Sequence, residues 1–160
     1  MRRAAAEGLI RGERRSPRRF RTSMREEAYL RSHWALLNEL RGALRTEPNV
    51  RLAVLFGSVA VGRDAPGSDV DVIVVLADPS AIRVAELTGR LERRIGRDVQ
   101  LVRLQDAERA PDLMAGVLGE GRVLIDREGR WEQLKAREPH GRARLATDVS
   151  LDDALPDLNL

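Results

Sequence analysis

Asp69 and Asp71 stand two residues apart at the head of the apolar run Val72-Ile73-Val74-Val75-Leu76. On a strand, residues at i and i+2 project from the same face, so both carboxylates point one way. Two like charges that close repel unless a cation lies between them. Oxygen ligands of this kind suit Mg²⁺, which is typically held by one or two carboxylates together with substrate phosphates. Upstream, Gly57-Ser58 follows a second apolar run, Val50-Arg51-Leu52-Ala53-Val54-Leu55-Phe56. Glycine lets the backbone turn sharply and approach a ligand closely, and Ser58 adds a hydroxyl and an N–H at the mouth of that turn. A cation site beside a phosphate-contacting turn fits phosphoryl or nucleotidyl transfer, in which positioning and charge neutralisation do most of the work.

Each signal alone is ordinary: Gly-Ser marks many turns, and Asp-x-Asp many solvated strand ends. Their spacing and their strand context make the combination specific. Gly57 to Gly62 also gives G-x-x-x-x-G after a strand, but Arg63-Asp64 stand where a P-loop needs Lys and Ser/Thr. Lys135 is the only lysine in the chain, so that alternative is rejected.

The elements that must position these residues alternate along the chain. Thr22 or Ser23 caps a helix reaching about Arg45, with Glu26 and Glu27 in its first turn. Leu30, Trp34, Leu37, Leu40 and Leu44 form its buried stripe, and Trp34 and Tyr29 read as core or partner-interface residues. Glu47-Pro48-Asn49 breaks this helix before the first strand, and a tight turn and short polar segment lead from Gly57 to the second. A helix from Asp78-Pro79-Ser80 to Ile95 carries the stripe Ile82, Ala85, Leu87, Leu91 and Ile95, with its arginines facing outward. Asp98 opens a third strand, through Leu104. Asp106 caps a helix over about 107–118, Arg122-Val123-Leu124-Ile125 is a fourth strand, and a last helix from about Glu128 to Arg137 carries Trp131 and Leu134. The expected fold is α/β, one sheet of about four strands flanked by helices.

The 160 residues suffice for one domain with a substantial core. Cysteine is absent, which excludes disulfides and thiolate metal sites. His33 and His140 make no zinc pattern. No run is long and apolar enough for a membrane span, and the Arg-rich start lacks the apolar stretch of a secretory signal, so a cytoplasmic protein is expected. Residues 1–25 hold nine Arg against two Glu, and residues 145–160 hold four Asp and no base. Three regions are therefore expected: a basic, mobile arm over 1–23 (with a helical fragment near Ala4 to Ile10), a folded domain over 24–138, and a polar to acidic tail over 139–160. The composition break also suggests Met24 as the start of the ordered protein. Nucleic-acid contact through the arm is a disfavoured alternative to a simple leader.

Gly57-Ser58, ten residues (59–68), then Asp69-Val70-Asp71 resembles the signature of the DNA polymerase beta-like nucleotidyltransferase superfamily. Ala60, Gly62 and Ser68 match secondary positions. Val61 departs from the Arg that small bacterial members often carry, and Arg63 is the nearby candidate substitute. The resemblance covers roughly residues 50–126. It implies a mixed sheet, with phosphate contacts from Gly57 and Ser58, and with Arg63 and Ser68 as further nucleotide-site candidates. It also implies two Mg²⁺ ions on Asp69 and Asp71, ATP as the donor, and a third carboxylate on a neighbouring strand. Asp98 is the candidate for that third position, completing a metal site and helping to deprotonate an acceptor hydroxyl. The chain is most similar to the minimal, antitoxin-type group, whose members often pair with a HEPN-type ribonuclease toxin and adenylylate it. The expected function is thus Mg²⁺-dependent transfer of AMP from ATP to a partner-protein hydroxyl. The alternatives are adenylylation of a small molecule such as an aminoglycoside, and a non-catalytic binding module of the same fold.

Overall fold

The computed structural model describes residues 8–16 and 19–137. A short antiparallel pair, β1 (Glu13–Ser16) and β2 (Arg19–Arg21), precedes the long helix α1 (Met24–Arg45). Then come β3 (Val50–Phe56), the single helical turn α2 (Gly57–Val61), β4 (Val70–Leu76), α3 (Ala81–Ile95) and β5 (Val99–Arg103). The chain continues through α4 (Leu104–Ala107), α5 (Pro111–Glu120), β6 (Arg122–Asp126) and α6 (Arg130–Arg137). The main sheet has the order β5-β4-β3-β6. It is mixed: β3 runs antiparallel to β4 and to β6, and β4 runs parallel to β5 through the α3 crossover. Among the described residues no helix is long and apolar enough to cross a membrane.

Strand alternation divides the core. Val50, Ala53, Leu55, Val70, Val72 and Val74 bury one face of the sheet with Leu37, Leu40 and Leu44 of α1 and Leu87 and Leu91 of α3. Leu52, Val54 and Ile73 bury the other face with Val117 of α5 and Trp131 and Leu134 of α6. The alternation places Asp71 on this second face. Burying a Leu or Val side chain contributes about 1.5–3 kcal/mol, so these two layers fix the β3–β4 register on which the site depends. Ser23 caps α1 as expected, its hydroxyl accepting the Glu26 N–H at 3.1 Å.

Five local expectations are corrected. The segment after Gly57 is not simply turn and polar loop: Val59 and Ala60 are buried, which draws 57–61 into a helical turn. The helix expected over 107–118 is two helices, because Pro111 disfavours a helical conformation at Ala110 and starts α5 afresh. Asp106 pairs with Arg103 at 2.7 Å inside α4 instead of capping. Ile82, assigned to the apolar stripe of α3, is 67% exposed. The last helix starts at Arg130, where the Asp126 carboxylate accepts the Arg130 and Trp131 N–H groups.

The largest departure concerns the arm expected over 1–23. Leu9 and Ile10 are buried in the main core, and the Gly8 carbonyl accepts the Val123 N–H at 3.1 Å. Residues 8–10 are turn and bend; Ala4 to Glu7 of the expected helical fragment, and the tail over 139–160, lie outside the described residues. The anchor is Arg122, whose side chain is almost fully buried. It donates to both Glu26 carboxylate oxygens (2.5 and 2.9 Å), to the Leu9 carbonyl (3.1 Å) and to the Ala60 carbonyl (2.7 Å). Its guanidinium also lies 3.7 Å from the centre of the Tyr29 ring. One cation thus joins the N-terminal segment, α1, α2 and β6.

Burial pushes the Glu26 carboxyl up, but hydrogen bonds and charge from Arg122 and Arg11 outweigh it and hold the group below the ordinary carboxylate range. A depressed carboxyl stabilises the fold above its unfolded pKa, and that stability is lost as pH falls through the folded value. Breaking a buried pair from one side costs about 3–5 kcal/mol. Urea unfolding should therefore show Glu26→Gln and Arg122→Met each strongly destabilised, with the double variant much less affected than their sum. Additive losses would contradict this account.

Candidate functional site

β3 ends at Phe56, which pairs with Asp71 across the sheet, so the next residue, Gly57, lies against the Asp71 carboxylate. Gly57 has φ +73°, and a Cβ there would fall 2.4 Å from Asp71 Oδ2. Left-handed backbone and close approach together explain the glycine. Phe56 occupies the cap position of α2 and supplies no side-chain cap. Ser58, half-buried, is the second residue of that helical turn.

Asp69 is exposed and Asp71 half-buried. Burial first, and then the charge of Asp69, push the Asp71 carboxyl above its ordinary value. The pair therefore carries an uncompensated electrostatic cost as it stands. A divalent cation taken up by both oxygen-donor groups would relieve the repulsion, so these residues fit Mg²⁺ bound with substrate phosphates.

The expected third carboxylate does not join them. Among the described residues no group of three His, Cys, Asp or Glu is placed to hold a metal ion. Asp98 is exposed and precedes β5; its carbonyl accepts the Val70 N–H at 2.9 Å. It lines a separate cavity of about 300 Å³ with Pro66, Gly67, Glu92 and Arg97. The parallel register Asp71↔Gln100 makes the β5 residue level with Asp71 an amide. The remaining two candidates take other places. Arg63 is exposed and follows the C-terminal cap of α2, at the end opposite Gly57 and Ser58. Ser68 Oγ accepts the Ala65 N–H at 2.8 Å and closes the loop before Asp69.

The C-terminal end of α2 is held from α1 and β6. Tyr29 Oη donates to the Val59 carbonyl at 2.9 Å, beside the Arg122 bond to Ala60. Burial pushes the Tyr29 phenol up to about 12, so it remains a donor. Tyr29 is thus a core residue, one of the two readings the sequence allowed. Its role at the site has no sequence signal, because its target is a backbone carbonyl 30 residues away.

The sequence pattern of the family described as "Polymerase beta, Nucleotidyltransferase" matches residues 38–130. Among curated proteins the chain has no match. Among solved structures it is similar to a chain of a toxin-antitoxin complex with AMP-PNP, at 30% identity and TM-score 0.53, over 62% of this chain and 81% of that one. It is also similar to a chain of the tri-AMPylated Shewanella oneidensis HEPN toxin in complex with MNT antitoxin, at 27% identity and TM-score 0.50, over 65% and 81%. The matched region contains the strand–turn–strand unit and both aspartates, and the chain belongs to the polymerase beta nucleotidyltransferase family.

Proposed function

We propose that this nucleotidyltransferase transfers AMP from ATP to a hydroxyl on a partner protein, a HEPN-type ribonuclease toxin. The observation that carries the reading is the Asp71 carboxylate, within the field of Asp69, pressed against the side-chain-free Gly57 turn. The similar complexes support this substrate and partner: one holds AMP-PNP, and another contains an AMPylated HEPN toxin with MNT antitoxin.

The bare backbone at Gly57 admits the phosphates of ATP close to the strand end, and Ser58 adds its hydroxyl and N–H. Asp69 and Asp71 would hold Mg²⁺, which supplies charge neutralisation on the triphosphate. The acceptor hydroxyl attacks the α-phosphorus and gives up its proton to solvent, an oxygen–phosphorus bond forms, and the bond from the α-phosphorus to the α,β-bridging oxygen breaks to release pyrophosphate. Gln100 is neutral and takes no proton from the acceptor. Among the described residues Asp98 does not complete a three-carboxylate metal group with the pair, so no step is assigned to it.

The test uses purified protein, α-labelled ATP, Mg²⁺ and a HEPN toxin. Label should pass to the toxin, and the Asp69→Asn/Asp71→Asn variant should lose about two to three decades in rate, as for removal of a preorganised charge-stabilising group. Unchanged turnover in that variant contradicts the reading. Toxin binding by both proteins without transfer would point to a binding module.

The raised Asp71 carboxyl yields a second expectation, with the opposite sign from Glu26. An acid whose folded pKa is raised weakens the fold at neutral pH, where it is ionised, and the penalty fades as pH falls through the folded value. Without Mg²⁺, Asp71→Asn should therefore have a Tm at neutral pH at or above that of the wild type. A clear fall would contradict the strained-pair account.

A further inference from the structure

The eight residues 62–69 connect the Gly57–Ser58 turn to the aspartate pair, and they are held from two sides. Gly62, at φ +75°, packs against α1: a Cβ there would lie 3.2 Å from Tyr29 Cδ2 and 4.0 Å from His33 Cε1. Tyr29 and His33, one helical turn apart, stack with ring centres 4.3 Å apart and planes 6° from parallel. His33 Nε2 meets Asp64 Oδ1 at 2.7 Å. On the other side, Arg97 reaches Asp64 Oδ2 at 3.3 Å and donates to the carbonyls of Ser68 (2.7 Å) and Ala65 (3.3 Å). The Asp64 side chain is only 8% exposed. Burial pushes its carboxyl up, but His33 and then Arg97 hold it below the ordinary range.

We propose that His33, Asp64 and Arg97 are positioning residues, a clamp that fixes the spacing between the phosphate turn and the Asp69–Asp71 pair. His33 ties the loop to α1, Arg97 ties it to the α3–β5 junction, and Asp64 is the shared link. The Arg97 bond to the Ser68 carbonyl acts one residue before Asp69. The Tyr29–His33 stack also links the clamp to Arg122, so α2 and the loop are held by one column of side chains. None of the three side chains need touch the nucleotide. The inference rests on the nucleotidyl-transfer reading of the site.

The experiment measures the dissociation constant of Mg²⁺·AMP-PNP for the wild type, Asp64→Asn and His33→Asn, with Tm recorded for each. Groups that orient ligand-holding residues change affinity by about 10–100-fold. Asp64→Asn and His33→Asn should each weaken analogue binding about tenfold, and the double variant should be little worse than either, since both open the same link. Arg97→Lys keeps the charge but loses the forked donation and should fall between. In transfer assays the loss should appear in KM for ATP more than in kcat. A folded Asp64→Asn or His33→Asn protein with wild-type affinity, even at lowered Tm, overturns the clamp and leaves the transferase reading intact. Wild-type protein that binds no Mg²⁺·AMP-PNP overturns that reading, and the clamp falls with it.

Discussion

A guanidinium in a protein interior must find its charge and all its donors satisfied, because leaving either unmet costs several kcal/mol. Arg122 meets that demand with Glu26, two backbone carbonyls and the face of Tyr29. These partners come from three segments, the N-terminal stretch, α1 and α2, which with β6 make four. The rest of the architecture follows from this constraint. The N-terminal segment must lie beside β6 so that the Leu9 carbonyl can accept, and α1 must begin where Glu26 can reach inward. α2 must end with its carbonyls toward the same cation. An ion pair so buried contributes less to net stability than its contacts suggest. Its consequence here is placement, since few other arrangements of the four segments would satisfy it.

Placement matters because the site has little tolerance of its own. Gly57 and Asp71 are so close that a methyl group would not fit between them. Small movements of α2 relative to β4 would change the separation of the Gly57–Ser58 turn and the aspartates. The Arg122 and Tyr29 bonds hold α2 from its C-terminal end, and the β3–β4 ladder holds its start. Burial and the charge of Asp69 raise the Asp71 carboxyl, a cost that the proposed cation would relieve.

The sheet, both flanking helices and the Gly57, Asp69 and Asp71 constellation were legible in the sequence because each leaves a periodic or spaced signal. Alternation marks β3 and β4, and a three-to-four repeat marks α1. The third position is not legible in the sequence for a geometrical reason. Asp98 is the first acid after α3, but which residue of β5 stands level with Asp71 depends on where the crossover returns, and the ladder selects Gln100. The buried partnerships of Arg122, Glu26 and His33 carried no signal. Glu26 and Arg122 are 96 residues apart, and a lone charged residue at the end of an apolar run reads as solvent-facing. The burial of Leu9 and Ile10 was hidden in the same way, within a segment dominated by arginine.

The central claim is that Asp69, Asp71 and the Gly57 turn form one site for a metal-bound nucleoside triphosphate. The most direct measurement is a crystal structure with Mn²⁺ and a non-hydrolysable ATP analogue, locating the metal by its anomalous scattering. The account predicts Mn²⁺ on the Asp69 and Asp71 carboxylates and phosphates against Gly57 and Ser58. Metal or triphosphate bound away from these residues, with the aspartates unliganded, would contradict it.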